Sequence, residues 1–167
     1  MIQVYTGEGK GKTTAAIGLA LRAAGAGLRV YIGQFIKKGT FAEVKILKKI
    51  PNIKIEQYGK GCLIRNKPCK TDIACASLGL KRAKQIILKG DFNLLILDEI
   101  NVALYLGLLK LNQVIDLIKS IPKNTELVLT GRKAHPKIRK LADLVSEIKD
   151  IKHYYRKGTK ARKGIEF

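Results

Sequence analysis

The chain has 167 residues, which is enough for one domain over residues 1–167 with a sizeable hydrophobic core. Lysines and arginines number 33 against 13 aspartates and glutamates, and the resulting net charge of +20 attracts anions such as nucleotides. No apolar run approaches the ~18 residues of a membrane span and no secretory signal precedes the first strand, so we expect a cytoplasmic protein without a membrane anchor.

The first element is an apolar strand at residues 1–5, followed by a phosphate-binding P-loop sequence. The pattern G-x-x-x-x-G-K-[ST] is matched except for a threonine at its first position. Lys12 supplies charge for terminal phosphates and the Thr13 hydroxyl suits Mg²⁺. The alternative, a basic loop without a ligand, is disfavoured because an Ala- and Leu-rich helix at residues 15–26 follows. The predicted nucleotide-binding residues here are Thr6, Gly7, Glu8, Gly9, Lys10, Gly11, Lys12, Thr13 and Thr14.

Strands and helices alternate along the rest of the chain. Continuous apolar runs, and not alternating ones, indicate parallel strands that are buried on both faces. Further strands are predicted at 28–35, 53–58, 93–98, 126–130 and 144–148, and further helices at 41–50, 71–89, 111–121 and 136–141. Thr71 with Asp72 is predicted to cap the helix at 71–89, and Pro136 suits a first helical turn. The order predicts an α/β fold with a mainly parallel central sheet and helices on both faces.

Residues 59–70 form a predicted loop that contains two of the three cysteines. Cys62, Cys69 and Cys75 cannot all pair, and their spacing fits no common zinc pattern. We therefore expect reduced thiols and no metal at these cysteines.

A second part of the predicted site is the sequence Leu-Leu-Ile-Leu-Asp-Glu that ends at Glu99. It is typical of a Walker B strand, which carries Asp98 to the carboxyl end of the sheet where ligands bind. Asp98 is expected to hold Mg²⁺ through water. Glu99 is either a water-activating base, as in an ATPase, or a group beside the metal and the nucleotide. The alternative is that Asp98 and Glu99 form an acidic turn without function. The presence of a P-loop in the same chain makes this alternative the weaker one.

Arg132 follows the predicted strand at 126–130 and should lie at the same sheet edge. A guanidinium there can hold a phosphate with two hydrogen bonds. A surface arginine without function explains the position equally well.

Several segments together resemble the ATP:corrinoid adenosyltransferases of the CobA/CobO/BtuR type. The resemblance runs in order through nearly the whole chain and includes its ending. The segments are Gly9 to Ala16, Gln34-Phe35-Ile36-Lys37, Leu97-Asp98-Glu99, Thr130-Gly131-Arg132, Ala142 to Glu147, Lys152-His153-Tyr154, Gly158, Ala161 and Gly164-Ile165-Glu166-Phe167.

The resemblance implies a RecA-like P-loop fold and a defined reaction. In that family a reduced Co(I) corrinoid attacks the 5′-carbon of ATP and displaces triphosphate, with ATP reversed relative to ordinary NTPases. It implies ATP and a corrinoid as substrates, Mg²⁺, a homodimer, and an electron donor such as a flavodoxin or another reductase. The resemblance marks Lys12, Glu99 and Arg132 as catalytic residues. It marks the P-loop residues, Gln34 and Lys37 as nucleotide-binding. It marks Thr13, Asp98 and Glu99 as metal-binding.

One departure from the family lies in residues 59–64, which offer no aromatic ring where members carry Phe-x-Trp to displace the lower cobalt ligand. We expect this loop to close over the corrin, with Leu63 and Ile64 on the lower face of the ring. A solvated surface loop is the alternative.

Two other functions remain open from the sequence. A RecA-like ATPase acting on nucleic acid would fit the charge together with Asp98 and Glu99, although the basic residues are spread along the chain and form no nucleic-acid motif. A nucleotide-binding regulator without turnover is the other.

Overall fold

The computed structural model describes residues 1–61, 64 and 67–166 as an α/β structure. The elements are β1 (Ile2–Thr6), α1 (Lys12–Gly25), β2 (Val30–Phe35), α2 (Ala42–Leu47), β3 (Ile53–Tyr58), α3 (Lys70–Lys89), β4 (Leu94–Asp98), α4 (Ile100–Tyr105), α5 (Leu111–Lys119), β5 (Glu126–Thr130), α6 (Pro136–Leu141), β6 (Leu144–Glu147) and a 3₁₀ turn (Tyr154–Lys157).

Six parallel strands form one sheet in the order β3-β2-β4-β5-β1-β6. The register places Gln34 beside Asp98 and Tyr5 beside Thr130. The last residues of β1, β2, β4 and β5 therefore meet at one edge, and the P-loop starts at that edge directly after β1.

The sheet is covered on both faces, as its continuous apolar strands require. One face packs α1 and α2 against residues such as Ile32 and Ile96. The other face packs α3, α4, α5 and α6 against residues such as Leu95 and Leu129. Neighbouring residues of one strand point to opposite faces, so both cores draw on the same short strands.

The predicted α/β class, the parallel sheet and its two helical layers are confirmed. One capping prediction is wrong: α3 begins at Lys70, and its N-cap is Cys69, not Thr71. The backbone N–H of Cys69 donates to the Asp72 carboxylate at 3.0 Å, so Asp72 caps the helix from its third position. Pro136 occupies the first turn of α6 as predicted.

A carboxylate with several hydrogen bonds links β2, β3 and α3. Glu56 accepts from Tyr58 Oη at 2.5 Å, Tyr31 Oη at 3.0 Å and Arg82 Nε at 3.2 Å, and Lys54 Nζ lies 3.2 Å away. Burial alone would raise the pKa of Glu56, but the hydrogen bonds from Tyr58, Tyr31 and Arg82 outweigh it and lower the pKa to about 2.

This lowered pKa predicts a pH-dependent loss of stability on replacing Glu56 by glutamine. The folded pKa lies below the unfolded value of 4.5, so the carboxylate stabilises the fold above pH 4.5 and loses this effect as the pH falls toward 2. After allowance for partial exposure, we expect the change to cost about 1–2 kcal/mol at pH 7. Denaturant unfolding of both proteins from pH 7 to pH 3 measures the difference, which should shrink below pH 4.5. A difference that is independent of pH would contradict the prediction, and Asp116→Asn on the exposed side of α5 is the control.

Candidate nucleotide site

The P-loop has no room for side chains at two of its glycines. Gly7 has φ 95°, and a Cβ atom there would lie 2.3 Å from the carbonyl oxygen of Ile148. A Cβ atom on Gly9 would lie 2.8 Å from the same oxygen, which accepts the Gly9 backbone N–H at 2.9 Å. The segment after β6 therefore supports the loop by backbone contact, and only glycine permits this approach.

Lys12 is buried at the start of α1 and points back into its own loop. Its ammonium donates to the carbonyl oxygens of Gly7 at 2.7 Å and Gly9 at 2.5 Å. Burial, and then the nearby Arg132 guanidinium, lower the pKa of Lys12. The loop thus holds a desolvated positive charge at the pocket wall, where an anion would interact with it strongly.

Asp98 connects β4 to three other elements of the site. Its Oδ1 accepts from Thr13 at 2.9 Å and Thr130 at 2.7 Å. Its Oδ2 accepts from Lys37 at 2.8 Å and Gln34 at 3.3 Å. Every acceptor of this buried carboxylate is paired, which fixes the end of β4 against the start of α1.

Lys37 is the cation of this cluster. Burial would lower the pKa of its ammonium, but the Asp98 carboxylate outweighs burial and the pKa is raised. Its Nζ also lies 3.2 Å from Thr13 Oγ1, so the ammonium bridges the P-loop threonine and the Walker B aspartate.

Glu99 is held at the same edge by a strained backbone. It has φ 62°, its backbone N–H donates to Thr130 Oγ1 at 3.0 Å, and burial and then Asp98 raise the pKa of its carboxyl group. Ile36 and Lys133 also have positive φ, and they follow β2 and β5. Strained non-glycine residues cluster at functional sites, and here three of them come after strands that end at the same edge of the sheet.

A pocket of about 520 Å³ opens at this edge. Its size suits a nucleotide. It brings together residues from the P-loop, the ends of β2, β4 and β5, and the end of the chain. The lining residues are Gly9, Lys10, Gly11, Lys12, Thr13, Thr14, Ile17, Lys37, Ala42, Glu43, Glu99, Arg132, Gly164, Ile165 and Glu166.

Some predicted site residues lie beside this pocket and not in its wall. Thr6 is buried, and its hydroxyl accepts from Ala134 N at 3.3 Å. Glu8 is exposed and pairs with Arg132 at 3.6 Å, while Gln34 lies beneath the pocket against Asp98. Arg132 reaches the pocket with its side chain 61% exposed.

Three residues that the structure places at the site were not among the predicted site residues. Thr130 joins Asp98 to Glu99, the Asp150 carboxylate accepts the Lys10 backbone N–H at 3.0 Å, and the Glu166 carboxylate accepts from Lys10 Nζ at 2.6 Å. Thr130 was detectable as a polar residue that ends a buried strand. The two carboxylates had no local signal.

The oxygen atoms of Thr13 and Asp98 are the hard ligands that Mg²⁺ prefers. Within residues 1–61, 64 and 67–166 there is no group of three or more His, Cys, Asp or Glu side chains that could hold a metal ion. Asp98 already binds Lys37, so an indirect contact through water suits it better than a direct one. The donor set fits a metal held mainly by a nucleotide.

The loop between β3 and α3 is only partly described. Cys62 and Leu63 lie outside the described residues, so the predicted contact of Leu63 with a corrin has no structural counterpart here. Ile64 is half-buried against the core. Among the described residues, Cys69 and Cys75 are free thiols.

The parallel sheet, the glycine loop and the Walker B aspartate define a P-loop nucleotide-binding protein of the α/β class. The sequence model of the family described as ATP:corrinoid adenosyltransferase BtuR/CobO/CobP matches residues 1–167, and the chain belongs to this family.

Three proteins named as corrinoid adenosyltransferases are similar to the whole chain. The corrinoid adenosyltransferase of Pseudomonas aeruginosa is 36% identical over all of this chain and 83% of its own length. Those of Escherichia coli and Salmonella typhimurium are each 33% identical over all of this chain and 85% of their own lengths. In the described part of the chain, no helix is both long and apolar enough to cross a membrane.

Proposed function

We propose that this chain transfers the 5′-deoxyadenosyl group of ATP to the Co(I) of a reduced corrinoid and releases triphosphate. The cobalt supplies the electron pair of the new Co–C bond, and the C5′–O bond of ATP breaks with its electrons going to triphosphate. The match of the family over residues 1–167 carries this conclusion. The same family match does not support the alternative function, an ATPase acting on nucleic acid.

The P-loop is the site at which the triphosphate would be stabilised as a leaving group. Lys10, Lys12 and the loop N–H groups offer positive charge and hydrogen bonds along one pocket wall. Arg132, which lies near Lys12 and also lines the pocket, is placed to add a guanidinium. Such charges accelerate displacement because they act more strongly on the departing triphosphate than on bound ATP.

Asp98 binds Lys37, Gln34 and Thr13, and it thereby fixes the start of α1 where the triphosphate would lie. Thr13 and Asp98 are the residues that would hold Mg²⁺, whose charge would further stabilise the leaving group. Lys37 shares both oxygen ligands with such an ion, so we infer that its ammonium shifts toward the phosphates when the metal binds.

Glu99 is proposed to support the nucleotide and not to activate water. Its replacement by glutamine should lower adenosylation only mildly, because cobalt is the nucleophile and no proton must be removed from it. In an ATPase the same change would abolish most hydrolysis. Chromatographic separation of the nucleotide products from wild type and variant distinguishes the two, with triphosphate expected from both proteins. If the wild type produced ADP and phosphate and the variant lost that activity, the prediction would be contradicted.

The direct test of the function is incubation with Mg-ATP and a chemically reduced Co(I) corrinoid. We expect the light-sensitive spectrum of an alkylcorrinoid together with one triphosphate per corrinoid. Formation of ADP and phosphate at the same rate with and without corrinoid would overturn the assignment.

Four finer features belong to the same proposal. We infer a single catalytic domain over residues 1–167, a cytoplasmic location, and assembly as a homodimer. An electron donor such as a flavodoxin or another reductase would supply Co(I), and the basic surface suits an acidic partner.

A further inference from the structure

The end of the chain folds back onto the P-loop. Glu166 is 156 residues away from Lys10, yet its Oε1 accepts from the Lys10 ammonium at 2.6 Å. The same oxygen accepts from the Tyr154 hydroxyl, and Arg162 donates to the carboxylate through its backbone N–H at 2.6 Å. Residues 164–166 form part of the pocket wall.

The partners of Glu166 are the kinds of group that bind phosphate. One carboxylate is contacted by an ammonium, a hydroxyl, a backbone N–H and a guanidinium. The guanidinium is that of Arg162, whose Nη2 lies 3.4 Å from the carboxylate. The Lys10 ammonium and the Arg162 guanidinium also lie over the Tyr154 ring, at 5.3 and 4.8 Å. Hydrogen bonds from Lys10 and Tyr154 lower the pKa of Glu166, so the carboxylate is ionised at neutral pH.

A triphosphate on the P-loop would meet this carboxylate in the same pocket. Both anions require Lys10, and two negative charges at close range repel each other. The side chain of Glu166 is 17% exposed, and its segment follows Gly158, a left-handed residue that ends the 3₁₀ turn. Residues 159–166 lie outside the strands of the sheet, so their displacement would leave the strand pairing intact.

We propose that Glu166 is an internal substitute for phosphate, which triphosphate displaces from Lys10 when it binds. Displacement frees the Arg162 guanidinium from the carboxylate and detaches residues 159–166 from the P-loop. The inference rests on the proposed function, since it requires the P-loop to hold the triphosphate. It assigns the C-terminal segment a role in admitting the nucleotide.

Calorimetric titration with inorganic triphosphate tests the competition. Glu166→Gln should bind triphosphate about two- to fivefold more tightly than wild type, the range expected for loss of one partly exposed competing ion pair. Adenosine, which carries no phosphate, should bind both proteins equally. Asp116→Asn makes the same change in net charge on the exposed side of α5 and should leave triphosphate affinity at the wild-type value.

Trypsin cleavage after Arg162 and Lys163, followed by mass spectrometry, tests the displacement in the wild-type protein and needs no variant. Saturating triphosphate should accelerate this cleavage, and Glu166→Gln should be cleaved rapidly without it. Equal or weaker triphosphate binding by the variant, or protection of the segment by triphosphate, would overturn the inference and leave the proposed function standing. Absence of triphosphate binding and adenosylation in every protein would overturn both.

Discussion

Replacement of Lys12 by alanine is expected to lower the rate of adenosyl transfer by about two orders of magnitude or more. The buried ammonium is fixed by the Gly7 and Gly9 carbonyl oxygens, so its position requires no reorganisation during the reaction. Its charge acts most strongly as the C5′–O bond breaks and negative charge accumulates on triphosphate. A single-turnover assay with pre-reduced Co(I) corrinoid isolates this step from cobalt reduction.

Lys119→Ala removes an exposed lysine from the end of α5 and is the matched control. It should react at the wild-type rate, because a remote surface charge is screened by salt. A near-normal rate for Lys12→Ala would mean that the P-loop does not bind the triphosphate. The family assignment would survive that result, whereas the proposed site would not.

The sheet, and the edge at which the pocket opens, were predictable because each strand is marked by its own run of apolar residues. Within the strand predicted at residues 93–98, residues 94–97 are all apolar without alternation, and β4 (Leu94–Asp98) is buried on both faces. The strands predicted at 53–58 and 126–130 agree with β3 and β5 at both ends. Since parallel strands end at one edge, Asp98 and the P-loop had to lie close together.

Short elements without a sequence signal were not predicted. Helix α4 (Ile100–Tyr105) has six residues and starts from the left-handed Glu99 with no side-chain cap. Neither the usual capping residue nor a long hydrophobic period marks it. The cap of α3 was misplaced for a related reason, since Cys69 is an uncommon N-cap and Thr71 is a common one.

Contacts between segments that are distant in the sequence were also not predicted. The sequence indicated that Lys10 and the Gly-Ile-Glu-Phe ending belong to one family pattern, but not that Glu166 binds Lys10. Likewise, Thr130 and Gln34 bind Asp98 only because the strand order places β2 and β5 on either side of β4. Such partners depend on topology, which no local period of the sequence encodes.

The backbone contact between the P-loop and Ile148 leads to a second large effect. Replacement of Gly7 by alanine should destabilise the fold by about 2–4 kcal/mol, since it combines a left-handed residue with a clash in a packed region. The added Cβ would lie 2.3 Å from a backbone oxygen, and backbone atoms cannot move aside as a flexible side chain does. Relief requires the loop and the segment after β6 to separate, which would also displace Lys12 and abolish most transfer activity. Urea unfolding measures the loss of stability, and the Co(I) assay measures the loss of activity.

Gly18→Ala is the control within the same stretch of chain. Gly18 lies in α1, and a Cβ there would meet no atom within 4 Å. Alanine should leave transfer activity unchanged and stabilise the protein by up to about 1 kcal/mol, because it restricts the unfolded backbone and favours the helix. If Gly7→Ala proved as stable and active as Gly18→Ala, the close approach of the P-loop to Ile148 would not be needed for either property. Support of the loop would then have to come from other contacts, such as those of Thr13 with Asp98 and of Lys10 with Asp150.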